Sequence, residues 1–81
     1  MNDLFEGYIM LLTSRMNRSK HRSKIMDNNQ SIRDTNDAIK YLRSAQEAFN
    51  KGDTHVSLEY LEMVPNWLRE GNWQTLRTEL Q

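Results

Sequence analysis

The amino-acid sequence predicts an all-α fold, a small bundle of three to four helices with a central antiparallel helical hairpin. Three observations lead there. Apolar residues recur at three- and four-residue intervals in successive stretches of the chain. No stretch alternates apolar and polar residues as a half-buried strand does. Capping residues and breakers punctuate the second half at Asp53, Pro65, Gly71 and Asn72.

The first helix is expected over 3–26. Leu4, Tyr8, Leu11 or Leu12, and Met16 share one stripe, widened by Phe5 and Ile9. Glu6 sits near the positive end of the macrodipole, and Gly7 weakens the interior by about 1 kcal/mol relative to alanine. Residues 27–36 (DNNQSIRDTN) read as a linker, because Asn, Asp, Ser and Thr side chains bond the local backbone and favour turns.

The hairpin is expected over 37–64. Asp34 or Thr35 caps its first helix, with Ala38, Leu42, Ala45 and Phe49 in one stripe. Gly52 suits a left-handed C-cap. Asp53 or Thr54 caps the next helix, where Val56, Tyr60 and Val64 line one side beside Leu58, Leu61 and Met63. So short a connection forces the two helices antiparallel. Pro65 ends or kinks the second of them, because it has no amide proton and restricts the residue before it. Residues 65–81 form a short terminal segment: a turn to Glu70, a stop at Gly71, and a last helix with Trp73, Leu76 and Leu80. A helix of that length is marginal alone and must pack on something.

The run Ala38 to Pro65 resembles a tetratricopeptide helical pair, on Ala45, Phe49, the Gly52-Asp53 turn and Leu58-Glu59-Tyr60. It departs from that pattern where Ser57 replaces the small residue of the second helix and where Pro65 arrives about a turn early. A single such unit cannot form a solenoid. The resemblance therefore implies a helix-turn-helix pairing and no peptide-binding groove.

At 81 residues the chain is read as one domain. Its hydrophobic share is 37%, and a chain this short buries only about 60% of its unfolded surface. With no cysteine there is no disulfide staple, and His21 and His55 lie too far apart in sequence for a zinc site. Well-packed helices or self-association must make up the difference, and a homodimer is the expectation. The lack of cysteine and of a basic, apolar leader points to the cytoplasm. The run Tyr8–Leu12 is far short of the roughly 20 residues that span a bilayer.

Catalysis is not expected. The three glycines, Gly7, Gly52 and Gly71, form no phosphate loop. Glu59 and Glu62 read as a solvated helix face, and His55 as a surface or packing residue. No cofactor and no metal ligand set is expected.

Binding is carried by two candidate surfaces. The first joins the N-terminal stripe (Leu4, Tyr8, Leu12) to a basic segment with five cations and no acid, Arg15, Arg18, Lys20, Arg22 and Lys24. From Asp37 onward there are five cations and seven acids. Leu4 to Leu12 followed by cations also reads as an amphipath for a membrane surface or a partner helix. In so small a chain those apolar residues are needed in the core. The second surface holds Trp67 and Trp73 with Arg69 and Arg77 nearby, residue types enriched at interface hot spots. If only one indole is buried, the other is the first to substitute. The expected function is a small regulatory or adaptor protein that occludes or tethers a larger protein partner. The alternatives are a nucleic-acid-binding regulator that neutralises phosphates with the basic segment 15–24 and a membrane-peripheral amphipathic helix, neither of which is favoured.

Overall fold

The structure is a computed structural model that describes residues 2–22 and 29–81, with side chains for 3–18 and 30–81. The described residues form α1 (Asn2–Arg22), α2 (Asn29–Asn50), α3 (Thr54–Glu62), a single 3₁₀ turn at Asn66–Leu68 and α4 (Trp73–Leu80), with no strand among them. The fold is all-α, as the apolar spacing predicts.

In α1, Phe5, Tyr8, Ile9 and Leu12 are buried, a stripe at i, i+3, i+4 and i+7. Leu4 and Met16 pack at its margins. This stripe meets Ala38, Ile39, Leu42 and Ala45 of α2. The Phe5 and Phe49 rings stand 6.0 Å apart, and Gln46 donates to Glu6 at 3.0 Å, so α1 and α2 run antiparallel. The alanines of α2 let the neighbouring helices approach closely. α3 packs on α2, and α4 closes against α3 and α1. Among the described side chains, the last buried residue of α1 is Leu12 and the first of α2 is Thr35, so Arg15 and Arg18 lie past the fully buried part of α1.

The α2–α3 connection is built from backbone bonds. Asp53 N–H donates to Ala48 O at 2.9 Å and Gly52 N–H to Phe49 O at 2.9 Å, the two bonds of a Schellman motif. Gly52 supplies the left-handed residue at φ +86°. Asp53 then caps α3, its carboxylate accepting from Val56 N–H at 3.3 Å.

Two expectations are corrected. The linker over 27–36 is already helix from Asn29, so Asp34 and Thr35 do not cap it. Polar side chains here bond within the helix instead of ending it. Thr35 donates to Ser31 O at 2.8 Å and is buried, and Gln30 donates to Asp34 at 2.8 Å. Residues 23–26 of the expected first helix, and 27–28, lie outside the described residues. In α3 the buried face is Ser57, Leu61 and Val64: Val64 lies on it as expected, whereas Ser57 and Leu61 take the places expected for Val56 and Tyr60. Ser57 is fully buried and donates to Ala45 O at 2.7 Å, which compensates its hydroxyl for leaving water. It is itself the small residue of this helix crossing. Of Leu11 and Leu12, only Leu12 enters the core.

Tyr8 is fully buried, and its hydroxyl donates to Leu68 O at 2.5 Å across 60 residues of chain. Burial first, and the Glu70 carboxylate second, push the phenol's pKa above its ordinary value. The neutral form is thus the one the fold holds. Stability from this group is present below the unfolded pKa of about 10 and is lost as pH rises through that value toward the folded one.

Two outcomes follow from this packing. Tyr8→Phe should cost about 1 kcal/mol at pH 7, and the gap to the parent chain should shrink in melts recorded above about pH 10. Ser57→Ala should cost about 1 kcal/mol, lowering Tm by about 4–8 °C. Ser57→Val should cost more, because it adds volume at a fully buried crossing. Thermal melts by circular dichroism read both series.

Candidate interaction surface

Pro65 sets this surface. At φ −57° and ψ 147° it ends α3 and turns the chain into the 3₁₀ turn. Leu68 N–H donates to Pro65 O at 2.9 Å and Arg69 N–H to Asn66 O at 3.1 Å. Leu68 points inward and is fully buried, whereas Trp67 beside it points outward and is 44% exposed. Gly71, at φ +58°, then redirects the chain into α4.

The two tryptophans have different fates. Trp73 is 7% exposed, and its indole N–H donates to Leu61 O at 3.0 Å. Arg69 lies over the Trp73 ring, 4.5 Å from its centroid, and donates to Val64 O at 3.0 Å and Glu62 O at 2.8 Å. Those carbonyls lie at the C-terminal end of α3, where a cation also complements the helix dipole. Glu62 sits 3.7 Å from Arg69 and accepts from Arg77 at 2.7 Å. Arg69 and Trp73 therefore join α3 to α4, and both are engaged within the chain.

Trp67 makes a different contact. Arg15 of α1 lies over its ring, 5.4 Å from the centroid, and pairs with the Glu70 carboxylate. One turn earlier in α1, Leu11 is 41% exposed and covers Gly71, where a Cβ would stand 2.7 Å from Leu11 Cδ2. Leu11 and Arg15 are thus i,i+4 neighbours on the α1 face that meets the 66–71 segment. Arg15 and Glu70 are each 40% exposed at the side chain. The result is two part-exposed apolar side chains, Leu11 and Trp67, presented by the segments that carry the part-exposed Arg15–Glu70 pair.

The remaining sequence candidates divide clearly. Tyr8 and Leu12 are fully buried and Leu4 is half-buried against the core, so the N-terminal stripe is interior rather than contact surface. The physical reason is area: the α2 stripe needs an apolar partner, and α1 is it. Arg18 is exposed on α1 and makes no ion pair among the described residues. Arg22 ends α1, and its side chain lies outside the described ones. Leu11 and Glu70 belong to the surface and are absent from the expected set. Leu11 is obscured by its neighbour Leu12 in the same stripe. Glu70 carries no local signal, because its partner is 55 residues away.

An open groove of about 410 Å³ lies elsewhere, on the α2–α3 hairpin around Ser44, Lys51 and Tyr60. Among the described residues no group of three His, Cys, Asp or Glu stands together as metal ligands, and no helix is long and apolar enough to cross a membrane.

The split between the indoles has a measurable consequence. Trp73→Ala should cost about 3–5 kcal/mol and leave little folded protein, whereas Trp67→Ala should lower stability by about 1 kcal/mol or less. Chemical denaturation of the two variants reads the difference. Comparison with family models, with curated proteins and with solved structures finds no match to this chain.

Proposed function

We propose that the chain is a small non-catalytic regulatory or adaptor protein that binds another protein through the Leu11–Trp67 surface and so occludes or tethers it. One observation carries this reading. Trp67 is held half-exposed on an ordered turn, with its ring braced by Arg15 and its neighbour Leu68 anchored in the core. Indole and guanidinium groups are enriched in interface hot spots, and a fixed side chain loses little conformational entropy on binding. The core does not require Trp67, since Leu68 and Trp73 already close it. Cytoplasmic placement and a homodimeric state belong to the same proposal, and light scattering reads the latter.

Nucleic-acid binding has weaker support. Of the five cations between Arg15 and Lys24, Arg15 is already matched by Glu70, which reduces the charge available to phosphates.

The test is capture of partners from native lysate by the full chain and by Trp67→Ala. The expected outcome is a partner protein held by the parent and lost by the variant, with Tm changed by only a few degrees. Equal capture by both overturns the reading. Tight, salt-sensitive binding to generic duplex, abolished by charge reversal at Arg18 and Arg22, replaces it with the nucleic-acid one.

A further inference from the structure

Building on the proposed protein-binding role, we infer that the Leu11–Trp67 surface takes an acidic segment of a partner protein, and that Glu70 is an internal stand-in for that segment's carboxylate. The argument starts from charge. Arg15 and Arg18 are i,i+3 neighbours on α1, and no acid occurs in the sequence between Arg15 and Lys24. The carboxylate that meets Arg15 comes from the far end of the chain, on the 66–71 segment that also presents Trp67.

Glu70 occupies Arg15 only in part. A guanidinium carries five N–H donors in a planar fork, and Glu70 takes the Nη1 end. Both side chains remain accessible to water, so the pair is of the kind whose exchange costs little. An incoming carboxylate can share or replace Glu70 at Arg15 and reach Arg18 one turn along. An apolar side chain beside it then settles on Leu11 and Trp67. The surface thus matches an amphipathic segment with acids next to an apolar anchor.

The other occupants fit less well. A second copy docking face to face would bring Arg18 against its own counterpart, an arrangement that like charges disfavour. Single-stranded nucleic acid needs an open aromatic face for base stacking, and Arg15 covers one face of Trp67.

Labelled synthetic peptides test this with the full-length chain. One is an amphipathic helix of Leu, Ala and Glu, the second carries Lys at every Glu, and an oligothymidylate serves as the nucleic-acid probe. Anisotropy titrations at low and moderate salt should show binding of the Glu peptide alone, weakened by Trp67→Ala and by Arg18→Glu. Glu70→Gln should tighten it by up to about fivefold, the span of a surface ion pair. Arg15→Lys, which keeps the charge but loses the fork, should weaken it. Melts of each variant separate lost binding from lost fold. If Glu70→Gln leaves affinity unchanged or lower while Trp67→Ala abolishes it, the stand-in role of Glu70 is wrong and the Trp67 surface stands. If the Lys peptide or the oligothymidylate binds in preference, or the Glu peptide does not bind, the acidic-segment inference falls. Lysate capture by Trp67 judges the wider reading separately.

Discussion

The hydrogen bond from Tyr8 to the Leu68 carbonyl is the constraint on which the proposed interaction surface depends. A buried phenol cannot be left without a partner at low cost, and here the partner is a backbone atom of the segment after Pro65. That bond joins the first helix to a turn 60 residues later. With Leu68 drawn inward, the residue before it must face out, because the tight turn separates consecutive side chains. Trp67 is exposed for that reason, although indoles are mostly buried. The same docking brings Glu70 to Arg15 and Gly71 under Leu11.

The helices on the C-terminal side could not stand alone. α3 has nine residues and α4 has eight, both below the length at which an isolated helix persists in water. Their ends are therefore tied. Asp53 caps the start of α3, Arg69 and the Trp73 indole N–H take carbonyls near its end, and Glu62 connects Arg69 with Arg77. Surface ion pairs individually contribute little. Arg69 differs because it combines two carbonyl bonds with the face of Trp73, and every part of that arrangement spans the α3–α4 junction.

Much of this fold was legible in the sequence where the signal is local. The Gly52–Asp53 turn, the stop at Pro65 and the last helix from Trp73 all rest on residues whose backbone preferences act within one turn. The start of α2 was not legible, since Asn, Ser and Thr favour turns in isolation. Burial of Thr35 and its bond to Ser31 override that preference. The α3 stripe was right at Val64 and misplaced by one residue at Val56 and Tyr60, because a serine does not register as apolar, yet Ser57 is the residue that a close helix crossing accommodates. At the surface, Trp67, Arg15 and Arg18 were evident as residue types. Their association was not, because the contact of Arg15 with Trp67 and Glu70 depends on how the two ends of the chain meet.

That dependence also separates the two arginine–tryptophan pairs, which look alike in sequence. Arg69 and Trp73 are four residues apart, and the guanidinium is committed to the Val64 and Glu62 carbonyls. Removing either would expose the α3–α4 junction, so selection for stability alone can account for them. Arg15 and Trp67 lie on different elements, are part-exposed, and satisfy no buried group. Stability draws little from a pair in water, whereas an interface draws a good deal from one already oriented. The physical difference between the pairs separates scaffold from the proposed contact surface in this chain, and it supports the proposal of a contact where the first helix meets the turn after Pro65.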